Sequence, residues 1–261
     1  MAIAHPIDPL IASLSRRETL TSESIEALRS LSVRVKDFAP NEDLVRSGTS
    51  PHESCLVIAG FAARAQYLPN GGRQLDAVHL VGDFVDLHSM QLQVMDHSVT
   101  ALGRCTAGYV PHQEIIAAMH AVPQLTWLFW QTTVTDAAIA RTWITCLGRR
   151  SAEQNMAHLL CELYVRLSSL ELVEGRAFTF PATQNDLADI LGLSTVHVNR
   201  TLQCLRSQEL VDWQAPRVQI LDFDRLAAKA GFEDDYLLPG RPTPTNPPRL
   251  YTPMTQNQER R

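Results

Sequence analysis

The sequence predicts an α+β chain: an antiparallel β unit, one long helix, and a small helical domain carrying a β wing. Three observations predict it. Short apolar stretches separated by turn residues run from Ser32 to Pro111. The stretch Pro123–Leu147 is apolar at helical spacing and carries almost no charge. Residues 184–208 read as two helices joined at Gly192, followed by two short strand-like stretches.

The 261 residues suffice for two modest domains, and a 45% hydrophobic, 20% charged composition is ordinary for a folded chain. No apolar run approaches the roughly 18 residues of a membrane span. The N-terminus lacks a basic stretch followed by an apolar core, so the cytoplasm is the expected location and no membrane partner is expected. Five scattered cysteines, with no Cys-x-x-Cys pair, indicate neither a structural zinc nor a disulfide framework. No nucleophile–base motif, phosphate loop or metal triad is visible, so an enzyme is not expected.

In chain order, residues 1–20 read as a short arm with one apolar segment, Leu10–Leu14. A first helix is expected behind Thr21, with Ile25, Leu28 and Leu31 on one stripe. Leu20 and Ile25 are spaced as a hydrophobic staple. Val33–Phe38 alternates as a strand, and Pro40-Asn-Glu is a turn. Leu56–Ala59 and Phe61–Leu68 are strands flanking Gly60. Pro69-Asn-Gly-Gly72 is a strong hairpin turn answered by Arg73–Leu80. His112–Met119 is a short helix.

The long helix opens on Pro123, a residue suited to the first helical position. Leu125, Leu128, Thr132, Thr135, Ile139, Thr142 and Cys146 form one stripe along it. Trp127, Trp130, Val134, Ala137 and Ile144 form another. A helix apolar on two faces must be covered on two faces. One face is expected on the β unit and the other on a second copy of the chain. The Leu125–Cys146 stripe is taken as the subunit seam. Gly148–Ser151 is expected to end this helix and mark a domain boundary. Helices are then expected at Ala152–Leu170 and Leu221–Leu238, with a short strand at 178–180. Residues 239–261, with six prolines and little to bury, read as a disordered tail.

Thr183 is placed to cap the first helix of the helix–Gly–helix stretch, and Gly192 to end it in the left-handed region. Ser194 caps the second, whose Val198, Leu202 and Leu205 face inward. Glu209–Trp213 and Arg217–Leu221 form the wing. This pattern, with Ala188, Gly192, Ser194, Val198, Arg200 and Leu205, resembles the winged helix-turn-helix of the Crp/Fnr family of transcription regulators. The resemblance implies a β-roll sensor at 21–122, a dimerisation helix at 123–148 and a DNA-binding domain at 149–238. It also implies double-stranded DNA, a second copy of the chain and RNA polymerase as partners. Thr183 and Gln184 are placed to meet phosphates, with Arg217 in the wing. Ser194, at the start of the second helix, is counted with the DNA-binding residues, and Thr195, Val196, His197, Asn199 and Arg200 face base edges. Charge does not advertise this role: the net charge is −5, and residues 149–238 hold nine Arg plus Lys against thirteen Asp plus Glu.

Cyclic-nucleotide sensors of this family open their cassette with a glycine and a glutamate. They close it with an arginine followed by serine or threonine. Here the opening is Gly82-Asp83 and the close is His97-Ser98. A neutral imidazole lacks arginine's fixed charge and bidentate fork, so cyclic nucleotide is not the expected effector. Oxygen-sensing relatives carry clustered cysteines, which are missing, so no iron–sulfur cluster is expected. A different small effector at Asp83, His97 and Ser98, haem through His79 or His88, and an empty sensor stay open, with haem the least expected cofactor.

Overall fold

The computed structural model describes residues 5–237. The expected tail at 239–261 lies outside the described residues. The expected arm is a helix, α1 (Asp8–Ser15), whose Leu10 and Leu14 are fully buried together with the preceding Ile7. Helix α2 (Ser22–Arg29) starts on Thr21, whose hydroxyl accepts from the Ser24 amide. Both pack with the later helices in one apolar cluster that also holds Leu56, Val110 and Ile115.

The β unit contains β1 (Arg34–Phe38), β2 (Asp43–Val45), β3 (Glu53–Tyr67), β4 (Arg73–His79) and β5 (Ser98–Pro111). They form one antiparallel sheet in the order β1-β5-β3-β4, with β2 also on β5. The sheet rolls around an inner core of Phe38, Leu44, Val57, Ala62, Val85, Val99 and Ala101. The sequence suggested two strands broken at Gly60; the structure has one, β3, with register shifts on both sides of Ala59. Gly60 sits at φ +85°, and a Cβ there would lie 2.3 Å from the Arg104 carbonyl oxygen. The glycine marks a bulge where two strands close in, not a turn.

Helix α3 (His112–Ala121) leads into α4 (Pro123–Arg149), which runs through Gly148 and stops at Arg150. Helix α5 (Ala152–Ser169) begins on a capping box between Ser151 and Gln154. The remaining elements are β6 (Ala177–Thr179), α6 (Gln184–Leu191), α7 (Thr195–Ser207), β7 (Val211–Gln214), β8 (Arg217–Ile220) and α8 (Phe223–Ala230). Strands β6, β8 and β7 form a three-stranded sheet with β8 central. The last helix is shorter than expected. Gly231 takes the left-handed conformation that ends α8, and Phe232, Tyr236 and Leu237 then fold back on the core.

The two faces of α4 have opposite surroundings. Leu125, Leu128, Thr135, Ile139 and Cys146 are buried within this one chain, and Thr132 and Thr142 are half-buried. Their stripe packs on the β-roll, α3 and α5. The stripe left open is the other one: Trp127 is 57% exposed, Trp130 62% and Ile144 70%. The assignment of a subunit seam to Leu125–Cys146 is therefore corrected, because the chain's own roll already covers that face.

Candidate nucleic-acid interface and sensor cassette

The local chemistry of α6 and α7 follows the sequence closely. The Thr183 hydroxyl accepts from the Asp186 amide, and the Asp186 carboxylate accepts in return from the Thr183 amide and hydroxyl. This closes a capping box. Thr183 is exposed, but its hydroxyl is spent within α6 and is not free for the phosphate contact expected of it. Gly192 lies at φ +64° and turns the chain. Ser194 caps α7, its hydroxyl accepting from the His197 amide. Val198, Thr201 and Leu205 are buried, and Leu202 packs at the edge of the same core.

The opposite side of α7 is open. Val196 is 70% exposed, and His197 and Arg200 are exposed beside half-buried Thr195 and Asn199. The Asn199 amide donates to the Gln184 side-chain oxygen at 2.9 Å, so the starts of α6 and α7 form one surface. Arg217 is exposed at the start of β8. Arg206 belongs elsewhere: it donates to the Trp213 carbonyl and lies 3.8 Å from Asp212, tying α7 to the wing.

The acidic balance of this domain also finds its explanation. Glu153 pairs with Lys229, Glu162 with Arg166, Asp212 with Arg206 and Asp222 with Arg225. Asp186 and Asp189 both pair with Arg73 at 2.6 Å. Arg73 comes from the β3–β4 hairpin, and the adjacent Gln74 donates to the Asp189 carbonyl. Arg200 and Arg217 enter none of these pairs. Six of the domain's thirteen carboxylates are thus spent internally while two guanidiniums on the open side stay unpaired, which domain totals cannot reveal.

The sensor cassette departs from its expected arrangement. Gly82 and Asp83 line a cleft of about 650 Å³ between α1, β4, α4 and α5, whereas His97 and Ser98 lie outside it. The four residues expected to form one effector pocket are therefore divided. A Cβ at Gly82 would lie 2.5 Å from the Pro9 carbonyl oxygen, so this glycine admits α1 rather than a ligand. Asp83 accepts from the Leu80 amide and pairs with Arg166 of α5 at 3.0 Å. Its carboxylate joins the segment after β4 to α5. The same cleft is lined by Arg17, which donates to Thr135, and by His79. Burial lowers the His79 imidazole to about 4, keeping it neutral.

Ser98 accepts from the Ser47 amide through its hydroxyl, and His97 is buried with its Nδ1 2.7 Å from Asp96. Asp86, whose carboxylate accepts from the Cys55 amide at 2.7 Å, is pushed up to about 7 by burial. The cysteines sit apart: Cys55 and Cys105 in the roll, Cys146 and Cys161 on α4 and α5, and Cys204 on α7. Burial pushes the Cys105 and Cys161 thiols up to about 12. No helix among the described residues is long and apolar enough to cross a membrane.

Comparison with known proteins agrees with this geometry. Residues 154–229 match the family model of the Crp-like helix-turn-helix domain. The chain is 28% identical to the transcriptional activator FnrL of Cereibacter sphaeroides over 233 residues, covering 87% of this chain and 90% of that protein. It is 28% identical to the transcriptional activatory protein AadR of Rhodopseudomonas palustris, covering 73% and 80%. Its fold matches the solved structure of FixK2 from Bradyrhizobium japonicum with a TM-score of 0.69 at 23% identity, covering 76% of this chain and 97% of that one. Over residues 154–229 the chain carries a Crp-like helix-turn-helix domain, and along most of its length it is similar to transcription regulators of the Crp/Fnr kind.

Proposed function

We propose that this protein acts as a homodimer that reads a two-fold related DNA site with α7 in the major groove. One observation carries the reading: the first two turns of α7 hold Val196, His197, Asn199 and Arg200 on an open face. Val198, Thr201 and Leu205 anchor the other side in the core. A helix held rigidly by one face and free on the other is what base reading requires. Arg200 suits guanine O6 and N7, and the exposed methyls of Val196 suit a thymine methyl. Gln184, Ser194 and the α6 start face the backbone, with Arg217 as the phosphate contact of the wing.

The second copy docks on the open stripe of α4. Trp127, Trp130, Val134, Ile144 and Leu147 are an apolar row on the surface of a single chain, and Trp is the residue most enriched at interface centres. The reading includes no cyclic nucleotide, because Asp83 is engaged by Arg166 and His97 replaces the phosphate-binding arginine. It includes no iron–sulfur cluster, because the five cysteines are scattered in sequence and lie on five different elements. RNA polymerase is the expected further partner, in the cytoplasm. Selection of bound duplexes from a random library tests the whole. Enrichment of an inverted repeat with half-site centres about 34–36 Å apart is expected. Recovery of an unenriched library, with binding insensitive to salt, would point to a winged helix that contacts protein instead.

A further inference from the structure

We propose that His88, Asp96 and His97 form a binding site for a divalent transition-metal ion within the sensor. His88 lies on the short 3-10 turn Leu87–Gln91, and Asp96 and His97 stand immediately before β5. One ligand atom from each of the three lies within 4.8 Å of the other two. The imidazole rings of His88 and His97 are 5.3 Å apart between centroids. His97 is only 4% exposed, and its Nδ1 lies 2.7 Å from the Asp96 carboxylate.

That hydrogen bond fixes the chemistry of the ring. His97 turns Nδ1 to the carboxylate, so the two side chains offer one nitrogen and one oxygen to an ion that displaces the shared proton. The Nε2 of His97 is buried and has no hydrogen-bond partner. That nitrogen faces away from Asp96, so an ion that Asp96 also ligates sits at Nδ1, in place of the shared proton, and not at Nε2. His88 is half-buried, and its ring lies beside that of His97, within reach of the same ion. The Asp96 side chain is 73% exposed, leaving it free to adjust toward an ion.

Two imidazoles and one carboxylate suit Zn²⁺, Fe²⁺, Co²⁺ or Ni²⁺ rather than the all-oxygen ions Mg²⁺ and Ca²⁺. Ligand atoms around a tetrahedral zinc lie about 3.4 Å apart, inside the 4.8 Å span of these three side chains. Three protein ligands leave a coordination position for water or an added small molecule. The set falls in the cassette where relatives place a ligand, but the chemistry here is that of a cation.

The test uses the full untagged chain, stripped by chelator. Zn²⁺ is followed by equilibrium dialysis and Co²⁺ by visible absorption. One ion per chain is expected, with d–d bands and no thiolate charge-transfer band. His88→Ala and Asp96→Asn should each weaken binding about 10–100-fold, while His52→Ala and His120→Ala leave it unchanged. His97→Gln should abolish binding with the circular dichroism retained. Because His97 is buried, the partly exposed His88 and exposed Asp96 carry the test if His97→Gln does not fold. Absence of binding at millimolar metal, affinity unchanged in both His88→Ala and Asp96→Asn, or a thiolate band placing the ion on cysteine would each overturn the proposal.

Discussion

The two stripes of α4 are close in composition and opposite in fate. One, through Leu125, Leu128 and Ile139, is sealed under the roll and α5; the other, through Trp127, Trp130 and Ile144, stands in the open on a single chain. The difference lies not in the helix but in what folds back onto it. Roll, α1 and α5 all approach from one side, and they bring polar partners with them. Thr135 accepts from Arg17, Asp136 pairs with Arg64 at 2.9 Å, and Trp143 donates to Glu162 at 3.0 Å. A stripe that holds threonines and flanks an aspartate can serve as an internal seam because its polar groups find partners there. The open stripe has the larger aromatic surface, which costs more to leave in water.

The largest effect that separates the stripes is expected at Ile139. Glutamate there would bury a carboxylate in the chain's own core and cost about 4 kcal/mol or more. Urea titration should show the loss at every protein concentration. A folded monomer with the wild-type midpoint would return this stripe to the subunit seam. The next effect is on the open face. Trp130→Ala should weaken self-association by about 2–4 kcal/mol while the monomer fold survives. Sedimentation equilibrium reads the dimer constant, and a wild-type chain that is already monomeric at micromolar concentration would remove the partner from that face.

The contrast of anchored and open faces sharpens further on α7, where the expected effects are smallest. Arg200→Ala should cost about 1–3 kcal/mol on the selected operator and relax preference at one base pair per half-site. Arg217→Ala should weaken specific and scrambled DNA alike and lower the salt slope by about one per subunit. Binding measured on both duplexes at several salt concentrations distinguishes them. Equal losses on both DNAs for Arg200→Ala would make it a phosphate anchor.

Local signals were legible because they act over a few residues. Thr183 and Ser194 as caps, Gly192 as the left-handed stop, Pro123 as helix opener and Pro69–Gly72 as hairpin turn are each fixed by backbone sterics and orphan amides. The hydrophobic period likewise gave the inward side of α7 and the existence of two apolar rows on α4. Gly60 and Gly82 were legible as special positions but misread, since the constraint on each comes from a strand or helix far away in sequence.

What the sequence by itself determined, then, is most of the element types, the winged helix-turn-helix and the open face of α7, all set by spacing within one or two turns. Which row of α4 the roll covers was decided only in three dimensions, because both rows satisfy the same periodicity. The spending of Asp186 and Asp189 on Arg73, and of Asp83 on Arg166, is equally tertiary: those partners lie more than eighty residues apart and share no local pattern. So is the meeting of His88 with Asp96 and His97, brought about by the path of the chain from the 3-10 turn into β5. Charge pairing and ligand geometry depend on distance in space, and a chain's order along the sequence constrains that distance only where the backbone is locally regular.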